Sequence, residues 1–196
     1  FMAIGVGLAG ALALIIFEPY RARRLVAFLD PFADAQNAGY QLVQSLYALG
    51  SGGFFGQSIG EGMSKFLYLP EQYTDFAYAV FSQEFGFIGS VFVLLLYLAF
   101  LLAGFSAARK LKETYAALLV YGLTMLISVQ GIVNIAMVIG CFPVTGIPLP
   151  FISYGGSSLL MNIISVALIY GTTVQSLRET DLEERKRRIA QMEGRG

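Results

Sequence analysis

Residues 91–105 read VFVLLLYLAFLLAGF, a run without a single charged side chain. A helix needs about 20 predominantly apolar residues to cross the hydrocarbon core of a membrane. The apolar character extends back to residue 76, so the apolar segment covers residues 76–105. This segment therefore predicts a transmembrane helix, and the rest of the chain is interpreted around it.

Other apolar segments predict further spans. Residues 115–140 and 158–174 are long and apolar enough to cross a membrane. Residues 1–17 fit a fourth span, and we expect the chain to begin within a helix because Phe1 already lies in an apolar run. Residues 38–59 are only moderately apolar and contain glutamines and the cluster Gly50-Ser51-Gly52-Gly53, so we predict a re-entrant or amphipathic element there.

The predicted fold class is therefore all-α. It is a polytopic membrane protein with about four transmembrane helices, the re-entrant or amphipathic element and long outward-facing loops. We expect a membrane domain over residues 1–176 and a charged cytoplasmic tail over residues 177–196.

Composition supports a membrane protein and excludes several kinds of chemistry. The chain is 56% hydrophobic and 13% charged, whereas soluble domains carry about 25% charged residues. There is no histidine, which excludes Ser-His-Asp and Cys-His catalysis within this chain. The single cysteine, Cys141, cannot form an internal disulfide. Acid–base work must therefore use Asp, Glu, Lys or Tyr, and the zero net charge gives no basis for nucleic-acid binding.

The basic residues predict the topology. Cytoplasmic loops of membrane proteins are enriched in Lys and Arg, and such clusters occur at residues 109–112 and 178–188. If both clusters are cytoplasmic, the loop over residues 141–157 faces outward, and so does Asp75. Arg21, Arg23 and Arg24 obey the rule only if residues 38–59 cross the membrane, so their side remains open.

Asp75 lies where the first complete span begins. Thr74 is a candidate N-cap, which makes Asp75 the first helical residue, at the outer edge of the membrane. An acid in the first turn of a helix commonly does no more than complement the helix dipole, and spacing alone favours that interpretation. The alternative is a carboxylate at a partly dry boundary, which can accept a proton from a substrate hydroxyl.

Two irregular segments are rich in glycine. In the loop before the last span, Gly155-Gly156-Ser157-Ser158 either binds an anion such as phosphate through free N–H groups or forms a simple turn with serine capping the helix. The cluster beginning at Gly50 matches a phosphate cradle poorly, because no strand precedes it, so packing of the re-entrant segment is favoured.

A few polar residues lie inside predicted spans. Gln130 and Asn134 are one helical turn apart, and we expect them to hydrogen-bond to other helices rather than to line a substrate groove. Glu84 requires a partner or a function, because a carboxylate at membrane depth is costly.

Three long stretches together resemble a known family. They are YQLVQSLYALGSGG at residues 40–53, KFLYLPEQYTDF at 65–76 and PVTGIPLPFISYGGSS at 143–158. Their order and spacing resemble the SEDS family of peptidoglycan glycosyltransferases, the FtsW, RodA and SpoVE group, and the first stretch is more similar to FtsW or SpoVE than to RodA. The resemblance extends from about residue 20 to residue 174.

The resemblance implies a specific activity. Family members have about ten spans, so this chain corresponds to the C-terminal half, and alone it is expected to be inactive because a groove shared with other helices would be open. Members polymerise lipid II at the outer face of the bacterial plasma membrane with a class B penicillin-binding protein. The family's essential acid, in a Thr-Asp-Phe motif, falls on Asp75, which reverses the preference from spacing. Gln83-Glu84 stands where the family often has two acids, and Ala77-Tyr78 departs from the usual residues after the aspartate.

The resemblance therefore implies that Asp75 is catalytic and that basic residues steady the leaving pyrophosphate. Lys65, Arg21 and Arg24 are the candidates for that cation. The other substrate-binding candidates are Gln44, Glu84, Thr145, Ser153, Tyr154, Ser157 and Ser158. No metal-ligand set or certain cofactor is apparent, although a divalent cation could replace the basic groups. Expected partners are undecaprenyl-pyrophosphate-linked glycan, the penicillin-binding protein and membrane lipids. The alternatives are a lipid II flippase and a non-catalytic division scaffold.

Overall fold

A computed structural model describes residues 24, 27–33, 35–37, 39–57 and 74–193, and over these residues the chain contains helices, turns and loops but no strand. The helices are α1 at Tyr40–Gly52, α2 at Ala77–Arg109, α3 at Thr114–Val138 and α4 at Gly156–Glu193. The predicted all-α class is confirmed.

Three of these helices are long and apolar enough to cross a membrane, namely α2, α3 and the Gly156–Thr180 part of α4. Many of their large apolar side chains are exposed, including Leu95 and Leu102 on α2. Such a surface is stable when it faces lipid. The fourth predicted span, residues 1–17, lies outside the described residues. Helix α4 runs without interruption from its apolar part into the charged tail.

Small residues bring the spans together. Helix α2 packs along α3 and also against α1, while α3 packs against α4. Gly104 of α2 lies directly against the side chain of Thr124, and Gly131 of α3 lies against the ring of Tyr97. Glycine allows two helices to approach closely at such points, as is usual inside membranes.

Helix α1 is too short to span the membrane. Its 13 residues extend over about 20 Å, against a hydrocarbon core of about 30 Å. Instead it packs beside the spans, and the Ser45 hydroxyl donates to the Val138 carbonyl over 2.7 Å. This agrees with the prediction of a re-entrant or amphipathic element. The Arg24 guanidinium donates to the Val144 carbonyl over 2.9 Å, so Arg24 lies on the same side of the helices as the loop after α3.

Helix α2 is broken at Gly86, which has φ 66° and ψ −165°. The apolar sequence predicted a continuous span, and the difference arises from residues 53–57, which we call the glycine turn. The N–H groups of Phe87 and Ile88, freed by the break, donate to the carbonyls of Gly53 and Phe54 over 2.9 and 3.3 Å. In return, Gln57 N–H donates to the Gln83 carbonyl over 2.9 Å. The glycine turn therefore replaces the missing hydrogen bonds of the helix.

Glycine is required where the turn meets the break. A Cβ at Gly56 would overlap the Glu84 carbonyl, and a Cβ at Gly86 would overlap the main chain of Gly56. Both residues also have positive φ, at 84° and 66°. Packing of the glycine-rich stretch against the protein was predicted, whereas its insertion into a helix break was not.

The predicted start of the first complete span is wrong by two residues. Helix α2 begins at Ala77, and Phe76 occupies the N-cap position without a side-chain cap. Thr74 is therefore not the N-cap, and Asp75 is not the first helical residue but lies in a turn. The reason is tertiary: the carbonyls of Thr74 and Asp75 accept hydrogen bonds from Ser153 and Asn134, distant residues that no local pattern could indicate.

Candidate functional site

The loop between α3 and α4 passes across the start of α2. We call residues 143–155 the proline loop. Its sharpest bend is at residues 149–153, where Ile152 and Ser153 donate their N–H groups to the Leu149 carbonyl over 3.3 and 3.0 Å. Pro150 takes the second position of this turn, and Phe151 takes the third with φ 65°, the arrangement of a type II turn. Glycine is usual at that third position, so Phe151 is held in a conformation that is costly for it.

Three side chains from α2 and α3 hold the proline loop by its carbonyl groups. The Tyr97 hydroxyl donates to the Pro150 carbonyl over 2.5 Å, and the Gln130 amide donates to the Pro148 carbonyl over 3.0 Å. The Asn134 amide donates to the Ile147 carbonyl over 2.6 Å. Gln130 and Asn134 therefore make structural hydrogen bonds as predicted, but these two acceptors are in the loop rather than on another helix.

One side chain of α3 and one of the proline loop fix the main chain at Thr74 and Asp75. Asn134 Nδ2 also donates to the Asp75 carbonyl over 2.8 Å. The Ser153 hydroxyl donates to the Thr74 carbonyl over 2.5 Å and accepts the Leu149 N–H over 2.8 Å. The Asp75 side chain is half-buried and lies beside Gly146, where a Cβ would be 3.3 Å from Oδ2. The candidate acid thus projects from a main chain held by two side-chain hydrogen bonds.

A groove of about 530 Å³ lies between the start of α2 and the residues at the end of the proline loop. One wall comes from the first turns of α2, including Ala77, Val80 and Glu84, and the other comes from residues 152–156 and Leu159. Glu84 is half-buried, while Tyr154 is largely exposed. The groove therefore combines a mainly apolar wall with a carboxylate and with the glycine-rich start of α4, a surface suited to an amphipathic ligand.

Comparison with known proteins identifies the family of this chain. A family model described as "Cell cycle protein" (FTSW_RODA_SPOVE) matches residues 1–177, which include α1, α2, α3 and the proline loop. The chain belongs to this family. The predicted resemblance is therefore confirmed.

Two curated relatives and one solved structure illustrate the relationship. Stage V sporulation protein E of Bacillus subtilis (strain 168) is 42% identical over 170 residues, which cover 86% of this chain and 46% of that protein. Probable peptidoglycan glycosyltransferase FtsW of Geobacter sp. (strain M18) is 42% identical over 170 residues, which cover 87% of this chain and 46% of that protein. A solved chain from "Structural coordination of polymerization and crosslinking by a peptidoglycan synthase complex" matches with a TM-score of 0.66 and 28% identity, over 90% of this chain and 50% of that one. The chain thus spans about half the length of the relatives it matches.

The structure brings some of the predicted site residues together. Ser153 contacts the main chain beside Asp75, and Glu84 and Tyr154 line the adjacent groove. Ser157 is exposed and Ser158 is half-buried in the first turn of α4, where Ser158 Oγ accepts a long hydrogen bond of 3.5 Å from Asn162. The helix starts at Gly156, so neither serine occupies the position before its first residue.

Other predicted site residues are placed differently or are not described. Gln44 is half-buried on α1. The exposed Thr145 directs its N–H and hydroxyl towards the Met137 sulfur, at 3.3 and 3.8 Å. Arg24 donates to Val144 at the near end of the proline loop. Lys65 and Arg21 lie outside the described residues, so their roles stay predictions.

The link between Asn134 and Asp75 was missed at the level of sequence. The available signal was an amide inside an apolar span, which predicts a buried hydrogen bond but not its acceptor. Among the described residues, no group of three or more His, Cys, Asp or Glu side chains is arranged to hold a metal ion. A divalent cation therefore stays a prediction.

Proposed function

We propose that the protein is a peptidoglycan glycosyltransferase that polymerises lipid II into glycan strands at the outer face of the bacterial plasma membrane. Membership of the family supports this proposal, and so do relatives named as probable peptidoglycan glycosyltransferases. The observation that carries it is the half-buried Asp75, whose main chain is held by Asn134 and Ser153 near a partly apolar groove that Ala77, Glu84 and Ser153 help to line.

In the proposed reaction, Asp75 is the general base. The 4-hydroxyl of the sugar on one lipid II attacks the anomeric carbon of the growing chain, and the Asp75 carboxylate takes the hydroxyl proton. The new bond joins the acceptor oxygen to that carbon, while the bond from the carbon to the pyrophosphate oxygen breaks. Undecaprenyl pyrophosphate leaves with the electron pair, so the charges and atoms balance without an added oxidant or reductant.

The leaving pyrophosphate requires positive charge nearby. We assign this role to Lys65 and Arg21, with Arg24 as a third candidate that also anchors the proline loop. The Arg24–Val144 hydrogen bond places this arginine on the side of the proline loop. If that side faces outward, a basic cluster there departs from the rule that Lys and Arg collect in the cytoplasm, and anion binding is a physical reason for the departure.

We further propose a class B penicillin-binding protein as the partner. The matched solved chain belongs to a peptidoglycan synthase complex that is described as coordinating polymerization and crosslinking. This match supports the assignment. The same proposal includes the topology. The proline loop faces outward, residues 1–176 form the membrane domain and residues 177–196 form the cytoplasmic tail.

The polar residues of α3 weaken the case for a flippase. A transporter requires a polar path at mid-depth in the membrane, and Gln130 and Asn134 were the candidates in this span. Both amides instead donate to carbonyls of the proline loop, and Asn134 is fully buried. A division scaffold, the other alternative, predicts that loss of the Asp75 carboxylate leaves function intact.

Polymerisation in detergent tests the proposal. The full-length protein, purified with its penicillin-binding partner, should convert lipid II into glycan strands in detergent micelles. Micelles do not separate two compartments, so transport of lipid II cannot account for the product. The Asp75→Asn variant should lose at least 100-fold in rate, because a base contributes about 10²–10⁴-fold. Asp30→Asn is the matched control: Asp30 is an exposed loop acid whose Oδ1 accepts the Ala33 N–H, and its loss should leave the rate unchanged. Equal loss in both variants, or none in either, would contradict the assignment.

A further inference from the structure

One buried amide connects the proposed base to the proline loop. Asn134 lies within α3 with no exposed surface, and its Nδ2 donates to the Asp75 carbonyl over 2.8 Å and to the Ile147 carbonyl over 2.6 Å. The two acceptors are far apart in sequence, and neither belongs to α3. A single NH₂ group therefore joins three segments of the chain.

The two carbonyl acceptors determine the orientation of the amide. Only the NH₂ group can donate to both of them, so Oδ1 must point elsewhere, and it is buried without a hydrogen-bond partner among the described residues. An unpaired buried acceptor costs about 1–3 kcal/mol. That cost offsets part of what the two hydrogen bonds contribute to stability, while the two hydrogen bonds together fix the positions of both acceptor segments.

The geometry in question is that of the Asp75 side chain. The hydrogen bond from Asn134 fixes the carbonyl of the same residue that carries the carboxylate. Its other hydrogen bond fixes Ile147, the neighbour of Gly146, against which Asp75 Oδ2 lies. Asn134 thus holds both Asp75 and the loop segment beside its carboxylate, whereas Ser153 holds only the Thr74 carbonyl on the other side. Misplacement of a reacting group by about 1 Å can cost about 100-fold in rate.

We propose that Asn134 is a positioning residue for Asp75. It acts through the main chain of residue 75 and does not touch the substrate. The inference rests on the proposed function, because it gives the position of Asp75 a catalytic meaning.

Gln130 provides an internal control. It lies one helical turn before Asn134 on α3, and its amide donates to the Pro148 carbonyl over 3.0 Å. It therefore anchors the same loop from the same helix, but this hydrogen bond goes to the loop and not to residue 75. A merely structural role for the α3 amides predicts similar consequences for the two residues, whereas positioning of Asp75 predicts a difference.

The test compares Asn134→Leu with Gln130→Leu in the full-length protein with its partner. We expect Asn134→Leu to lower kcat for lipid II polymerisation at least tenfold while KM stays within twofold, the signature of an interaction that acts on the transition state alone. Gln130→Leu should leave kcat within threefold of the wild type. Equal losses in the two variants, a kcat unchanged in Asn134→Leu, or a loss confined to KM would overturn the proposal.

A second substitution guards against misfolding. Asn134→Asp keeps the volume of the side chain but removes at least one of the two donated hydrogen bonds in either protonation state. In folded protein it should also lower kcat at least tenfold, and its melting temperature in detergent should fall below that of the wild type because at least one buried carbonyl loses its donor. If neither Asn134 variant folds while Gln130→Leu does, Asn134 is required for folding and the positioning role is wrong.

Asp75→Asn, measured in parallel, separates this inference from the proposed function. Full activity in Asp75→Asn would overturn the base assignment itself. Loss of activity in Asp75→Asn together with a normal kcat in Asn134→Leu would overturn the positioning role alone.

Discussion

The glycine turn and the proline loop are both irregular segments packed onto membrane helices, yet they are held in opposite ways. The glycine turn is joined to α2 by hydrogen bonds between main chains, and it fits because Gly56 and Gly86 have no side chain. The proline loop is held mainly by side chains of Tyr97, Gln130 and Asn134, which donate to its carbonyls.

This difference has a functional consequence. The main-chain hydrogen bonds of the glycine turn require glycine at Gly56 and Gly86, where a side chain would overlap the main chain. They do not depend on the kind of side chain that neighbouring residues carry. A segment held by individual side chains can be adjusted one hydrogen bond at a time. In this protein the second kind of segment lies beside Asp75, the proposed base.

The largest expected effect is at the glycine turn. Gly56→Ala places a Cβ against the Glu84 carbonyl and also forces alanine to adopt φ 84°. Main chain cannot yield as a flexible side chain does, so we expect a loss of at least about 4 kcal/mol, the range of exceptional single mutations. The measurement is the melting temperature and the yield of folded protein in detergent.

Gly50→Ala is the control for that substitution. Gly50 lies in α1 with no atom within 4 Å of the added Cβ. Alanine is better than glycine by about 0.8–1.0 kcal/mol in a helix interior, so the melting temperature should stay the same or rise. A normal melting temperature for Gly56→Ala would show that the turn does not sit inside the helix break.

An intermediate effect is expected at the proline loop. Tyr97→Phe removes only the hydroxyl that donates to the buried Pro150 carbonyl. The unpaired carbonyl should cost about 1–3 kcal/mol, visible as a lower melting temperature in detergent. Tyr121→Phe is the control: Tyr121 packs edge-on against Phe105 at 5.1 Å, a contact that phenylalanine keeps. Equal melting temperatures for the two variants would contradict the role of Tyr97.

The smallest expected effect is at the turn of the proline loop. Phe151→Gly relieves the left-handed conformation at φ 65°, worth about 1–2 kcal/mol, and this gain should offset the lost side chain. The change in unfolding free energy should stay within about 1 kcal/mol of zero, because glycine itself costs roughly 0.5–1 kcal/mol in ordering entropy.

Phe142→Gly shows what the same change does without strain. Phe142 is similarly exposed in the same connection, at 42% against 47% for Phe151, and its φ is not positive. It should therefore lose stability where Phe151→Gly does not. A larger loss at Phe151 would mean that its strained conformation is not a feature of the folded protein.

Sequence alone predicted the features that depend on local composition. The apolar runs predicted α2, α3 and α4, and the glutamines and glycines of residues 38–59 indicated a re-entrant or amphipathic element. The three motifs identified the family. These predictions succeed because transfer into lipid depends on composition over about 20 residues.

The remaining features depend on residues that are distant in sequence. The break at Gly86 lies inside an apolar run, and only the approach of the glycine turn makes it stable. Thr74 resembled an N-cap, but its carbonyl accepts a hydrogen bond from Ser153, which is 79 residues away in sequence. The amide of Asn134 indicated a buried hydrogen bond, whereas its acceptor at Asp75 required the folded chain.

The rate of glycan-strand synthesis by Asp75→Asn most directly tests whether the acid beside the proline loop is the catalytic base. The full-length variant and the wild type are to be compared at equal concentration, each with the proposed penicillin-binding partner and lipid II in detergent, after matching melting temperatures have shown that both are folded. We predict a rate at least 100-fold below the wild type. Strand synthesis at the wild-type rate by folded Asp75→Asn would contradict the assignment.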